Sequence, residues 1–177
     1  MSIGIGMVIG SRVLVAADRR TMDNNRWAAP YRKLRRVGAW VVATCGSTPD
    51  DHLFFHGLPE DFDFSNPIAY RDRLIFCQEH WLRINDVFKM NYASVFTMLA
   101  AKNGELYSGN EHGIISPLAW EVIGFPQSGT ALMFNEYRND LSSEAAEALA
   151  RRIYETGQAI TPWIGGGLDI AWTDGGP

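Results

Sequence analysis

The chain has 177 residues, 46% of them apolar and 20% charged, which is the size and composition of one globular domain over 1–177 with a real core. A net charge of −4 gives no electrostatic footprint for nucleic acid. No apolar run reaches the roughly 18 residues that cross a bilayer and no secretory leader is visible, so no membrane partner is expected. Two cysteines, Cys45 and Cys77, make no disulfide framework, and a cytoplasmic location is the expectation.

Ile3, Ile5, Met7 and Ile9 alternate with Gly4, Gly6 and Val8, a period of two that predicts a strand. Gly10-Ser11 is a turn signal and Arg12 to Ala17 is β-rich, so the two runs form a hairpin. Asp23 to Asn25 reads as a polar loop. Arg32 to Val37 and Trp40 to Thr44 read as a second strand pair, bent at Gly38. A short helix is expected over 50–56, stopped by Gly57 and Pro59. Asn66 and Pro67 start a longer one, where Tyr70, Leu74, Cys77, Trp81, Ile84 and Phe88 recur at steps of three and four. That stripe reads as core or subunit contact. Val95 to Ala100, Asn103-Gly104 and Glu105 to Ser108 carry the clearest hairpin signal in the chain. Trp120 to Ile123 is a further strand, Thr130 to Arg138 and Ser143 to Thr156 are two helices, and Leu168 to Trp172 is a closing strand before a loose tail. Segregated runs in this order predict α+β layers in place of alternating βαβ units.

Ser2 stands behind Met1, and a small second residue favours removal of the initiator methionine. A serine that opens the mature chain carries its own general base, because an α-amino group has a reference pKa near 8. A hydroxyl beside a neutral amine is an activated nucleophile. Serine lacks threonine's β-methyl, so its hydroxyl is less preorganised. Gly46, in the Cys45-Gly46-Ser47 turn, lets backbone approach a developing oxyanion, although Gly-Ser-Thr-Pro would also make a plain strand-to-helix turn.

The run from Ser2 to Arg20, the lysine segment Arg32 to Val37 and the segment Val41 to Asp51 resemble the β-type subunits of the proteasome and their HslV-type relatives. Weaker matches return at Leu141 to Glu144 and Gly165 to Ile170. The resemblance implies a four-layer αββα sandwich of the N-terminal nucleophile (Ntn) hydrolases. It implies Ser2 as nucleophile, Asp18 pairing with Lys33, Lys33 lowering the proton affinity of hydroxyl and amine, and Gly46 as oxyanion donor. Ser128 would support the amine and proton relay, with Thr44 and Ser47 at the substrate. The spacing from Asp18 to Lys33 is one residue short of the family's, a deletion placed in a loop over 23–29. Thr161 stands where the family has an Asp near the nucleophile, and it cannot carry that charge. By the same resemblance the expected activity is peptide-bond cleavage through an acyl-enzyme, on unfolded polypeptide, inside a homo-oligomeric ring; an ATPase partner is implied by the family alone.

The rival expectation is a catalytically silent subunit of the same fold, favoured by Thr161 and by any retained Met1. His52 and His56 sit at i, i+4, a zinc-compatible spacing, but Leu53 follows His52 and no third ligand stands out. Gly165-Gly166-Gly167 lacks the phosphate-loop spacing and its Lys-Ser/Thr. No metal and no cofactor are expected.

Overall fold

The computed structural model of the chain describes residues 2–23, 26–46, 48–88, 96–110, 112, 115–124 and 127–173. The alternation at its start decides the architecture. Strand β1 (Ile3–Ile9) turns through Gly10, at φ 59°, into β2 (Arg12–Asp18). Ile3, Ile5, Met7 and Ile9 point to one face, where they pack with Leu14 and Ala16 under helices α3 (Gln127–Glu136) and α4 (Ser143–Ile160). The opposite face of β2, carrying Val13, Val15 and Ala17, meets a second sheet. Gly6 is part of that meeting: a Cβ there would lie 2.8 Å from Leu106. A side chain at Gly6 would force the sheets apart, so glycine is what lets them close.

The first sheet has the order β10-β1-β2-β11, with β10 at Trp120–Gly124 and β11 at Leu168–Trp172. The second has the order β5-β6-β7-β8-β9, formed by β5 (Leu34–Val37), β6 (Trp40–Gly46), β7 (Phe96–Lys102), β8 (Glu105–Asn110) and β9 (Ile115–Leu118). Its inner residues Val41, Ala43, Cys45, Leu99 and Ala101 complete the core between the sheets. Its outer residues Trp40, Val42, Met98 and Ala100 pack with Phe54, Tyr70 and Leu74 from helices α1 (Thr48–Phe55) and α2 (Pro67–Phe88). The result has the α+β layers expected from the element order, arranged as the four-layer αββα sandwich that the family resemblance implies.

Local chemistry sets the boundaries. Asn66 Oδ1 accepts the N–H groups of Ile68 and Ala69 at the start of α2. Ser142 Oγ accepts Ala145 N–H at 3.2 Å as the N-cap of α4, worth about 1 kcal/mol. That helix buries Ala146, Leu149, Ala150 and Ile153, and truncating Leu149 or Ile153 to Ala would cost about 2–5 kcal/mol. Asn103 (φ 52°) and Gly104 (φ 81°) make the two-residue turn that their sequence predicts.

Three strands were not expected. β3 (Arg20–Asp23) and β4 (Arg26–Pro30) pair as a separate hairpin where a loop over 23–29 was read. Strand β9 contains Pro117, which argues against a central strand; β9 lies at the sheet edge, where a missing N–H is tolerated. The tail from 174 onward, Val95 and Met1 lie outside the described residues. Among the described residues no helix is long and apolar enough to cross a membrane.

Candidate active site

Antiparallel pairing that sets Gly4 opposite Ala17 brings the start of β1 beside the end of β2. There Asp18 is fully buried, and four donors converge on its carboxylate. Oδ1 accepts from the Ile3 backbone N–H at 3.0 Å and from Lys33 Nζ at 2.8 Å. Oδ2 accepts from Arg20 N–H at 3.2 Å and from Gly165 N–H at 3.3 Å. Lys33, itself 5% exposed, donates also to the Arg20 carbonyl at 2.5 Å. The Ser2–Ile3 peptide and the Lys33 ammonium therefore meet on one carboxylate oxygen. Breaking such a buried pair from one side costs about 3–5 kcal/mol, because the surviving charge keeps its desolvation penalty.

Ser2 is buried, and its carbonyl is seated against Gly124, where a Cβ would come within 2.2 Å. Gly124 holds φ at 87°, a region that favours glycine. The loop that supplies Gly165 N–H runs through Gly165, Gly166 and Gly167, with Arg19 N–H donating to the carbonyls of Gly165 and Gly167. From α4 the Tyr154 hydroxyl accepts Gly167 N–H at 3.1 Å and anchors that loop. The glycine triplet thus serves as a main-chain donor to Asp18, a use that phosphate-loop spacing could not indicate.

Gly46 closes β6, exposed, at φ 141°. Two positions before it, Thr44 faces α1 and donates its hydroxyl to Asp51 Oδ1 at 2.7 Å. Asp51 Oδ2 in turn accepts from the Tyr31 hydroxyl and from Arg35. Burial and the hydrogen bond to Asp51 raise the Tyr31 phenol above its ordinary range. Sequence reasoning passed over Asp51, Tyr31 and Arg35. The one available signal was the Asp50-Asp51 pair in the first turn of a helix, a common position for solvated acids.

Cys45 lies between the sheets and donates weakly to the Ile123 carbonyl at 3.8 Å. Burial drives its thiol far above the ordinary range and nearby Asp18 acts in the same direction, so it is no nucleophile despite its place in the turn. Thr161 caps α4, and its hydroxyl accepts Trp163 N–H at 3.3 Å. Ser47 and the side chain of Ser128 lie outside the described residues. Gly129, next to Ser128, lets α3 approach closely: a Cβ there would meet Ile153 at 2.8 Å. His52 and His56 are exposed, and among the described residues no group of three His, Cys, Asp or Glu could hold a metal.

The sandwich, with this buried pair beside the start of its first strand, has the fold of the Ntn hydrolases. Among solved structures the chain is similar to a mutant Anbu from Hyphomicrobium sp. strain MC1, with a TM-score of 0.77 at 13% identity over 96% of this chain and 80% of that one. The helically assembled Anbu complex from Pseudomonas aeruginosa gives 0.76 at 18% identity, over 96% and 80%. HslV from Trypanosoma brucei gives 0.66 at 17% identity, over 96% and 98%. No family model and no curated protein matches the chain.

These likenesses correct the family resemblance read from the sequence. Structures of Anbu, the ancestral beta-subunit, superpose better than HslV, so the HslV-type assignment does not stand. The physical reason is that the matching motifs sit on β1, β2 and the β5–β6 pair. Those elements define the sandwich shared by both groups and carry little that separates them.

Proposed function

We propose that the chain is a proteasome-like peptidase subunit that uses Ser2 as an N-terminal nucleophile once Met1 is removed. The observation that carries this reading is the shared Asp18 oxygen, which ties the Ser2–Ile3 peptide to the Lys33 ammonium in a buried setting. In the mechanism, the Ser2 hydroxyl attacks the scissile carbonyl and its proton passes to the Ser2 amine. The amine then protonates the leaving nitrogen, the peptide bond breaks, and an ester on Ser2 remains. Water, deprotonated by the same amine, hydrolyses that ester and regenerates the hydroxyl. Lys33 favours the neutral amine and the alkoxide-like transition state by its charge, and Asp18 holds Lys33 in place. Gly46 N–H receives the oxyanion, a contribution of about 3–4 kcal/mol for donors of this kind. The substrate is unfolded polypeptide, with Thr44 and Ser47 near the cut and Ser128 on the amine side.

Self-assembly belongs to the same proposal. Ile68, Ile75 and Leu82 lie exposed at seven-residue steps along α2, on the side away from Tyr70, Leu74 and Cys77, which that helix buries in the core. The Anbu complex from Pseudomonas aeruginosa is a helical assembly, which supports a homo-oligomer here.

A silent subunit is the second reading. It is favoured by Thr161, whose hydroxyl is engaged by its own turn at Trp163. Intact mass followed by a peptide vinyl sulfone decides between them. Loss of the Met1 mass and a Ser2 adduct that vanishes in Ser2→Ala support the peptidase. A retained methionine, or an adduct that survives Ser2→Ala, overturns it.

A further inference from the structure

We propose that Asp51 sets the substrate preference of this site by closing the pocket beside Gly46, so that the side chain preceding the cut must be small and uncharged. The inference rests on the peptidase reading above and deepens it.

Gly46 and Lys33 line one pocket together with Tyr31, Thr44, Asp51 and Phe96. In the peptidase reading the carbonyl oxygen is received at Gly46 N–H, and the pocket that Gly46 lines is the one assigned here to the side chain on the acyl side. The free space there is about 10 Å³ for the centre of a water molecule, room for a single water and hence for a methyl or hydroxymethyl group. Asp51, 4% exposed, is what keeps it shut. Its two oxygens hold Thr44, Tyr31 and Arg35 at once, from β6, the segment before β5, and β5.

Charge follows the same logic. Lys33 is neutralised by Asp18 and Arg35 by Asp51, and the Thr44 hydroxyl is spent on Asp51. A charged side chain entering the pocket would lose water and find no free counter-charge. A larger apolar one would meet Phe96 and Thr44. Arg35, which holds Asp51, also lines a neighbouring cleft of about 620 Å³ with His52, Phe55 and His56. Its guanidinium stacks 4.2 Å from the Phe55 ring centroid. Asp51 is therefore a positioning residue that acts through Arg35, Tyr31 and Thr44.

The test uses four peptide vinyl sulfones on the native protein, identical except for Ala, Leu, Glu or Lys before the electrophile, with adduct formation at Ser2 followed by mass. The wild type should react with the Ala probe about tenfold or more faster than with the other three. Arg35→Ala leaves Asp51 uncompensated and opens the cleft, so the Leu and Lys probes should gain about tenfold relative to Ala. Asp51→Asn leaves Arg35 uncompensated, so the Glu probe should gain instead. Opposite shifts in two variants that still melt cooperatively cannot come from a general loss of structure. Equal Leu and Ala rates in the wild type, or unchanged preferences in both variants, would overturn the inference while leaving the nucleophile intact. Failure of every probe to label Ser2 would sink the peptidase reading and this inference together.

Discussion

Two buried carboxylates lie on either side of Lys33, and they are held in different ways. Asp18 takes three of its four hydrogen bonds from backbone N–H groups, on β1, at Arg20 and at Gly165. Asp51 is held by the side chains of Thr44, Tyr31 and Arg35. A carboxylate fixed by main chain is positioned by the fold itself, and only its one side-chain partner can be exchanged. A carboxylate fixed by side chains can be retuned by single substitutions. In the reading advanced above, the first arrangement suits chemistry that has to stay constant, the second a pocket whose preference can change.

Asp18 has its one exchangeable partner in Lys33. Lys33→Ala leaves Asp18 buried with its backbone donors and no counter-charge. The expected loss is about 3–5 kcal/mol of stability, measured by urea unfolding. Labelling of Ser2 should fall on the order of 10²–10³-fold, the range of a lost electrostatic stabiliser of the transition state. If stability falls and labelling does not, Lys33 is structural and the proposed mechanism is wrong.

Gly124→Ala comes next, because it moves Ser2 without touching a charge. The new Cβ would meet the Ser2 carbonyl at 2.2 Å, and φ is 87°, so about 1–3 kcal/mol of strain is expected. A displacement of Ser2 by about 1 Å should slow labelling about 10²-fold. Gly57→Ala is the control: it shares the positive φ, at 64°, and has nothing within 4 Å of the new Cβ. It should cost stability alone. Equal labelling in the two variants would show that Ser2 position is unimportant.

The same contrast accounts for what could be read from the sequence. Asp18 and Lys33 were legible through the family resemblance of the segments that carry them, and strand register explains only why Asp18 lies beside the start of β1. The α+β layering was legible because helical and β periodicities fall in separate runs, and the αββα stacking of those layers came from the family resemblance. The Asp51 cluster was not legible. It joins residues from three elements through side chains whose directions no periodicity reveals. Strand β9 was hidden by its proline, and the β3–β4 hairpin by the Asp23 to Asn25 polar run, a composition that fits a loop as well as a hairpin turn. Anbu and HslV were inseparable at the motifs for the reason already given, that both are built on the same strands.

The smallest expected effect lies at the rim of the Asp51 cluster, in Tyr31→Phe. This removes one of three donors to Asp51 and leaves Thr44 and Arg35 in place, so about 0.5–1.5 kcal/mol is expected at neutral pH. The pH dependence is the sharper readout. The folded phenol is raised, by burial first and by its hydrogen bond to Asp51 second. Above the unfolded phenol's pKa of about 10, the folded protein therefore binds more protons than the unfolded chain, and stability falls as pH rises. Tyr107 and Tyr137 are raised as well, so the wild type alone cannot assign the slope. The difference between wild type and Tyr31→Phe isolates it: the variant should lose less stability between neutral pH and the alkaline side of that pKa, followed by urea unfolding. Parallel pH profiles would mean that Tyr31 does not share its proton-holding role with Asp51, and the side-chain-held carboxylate would be less closed than its geometry implies.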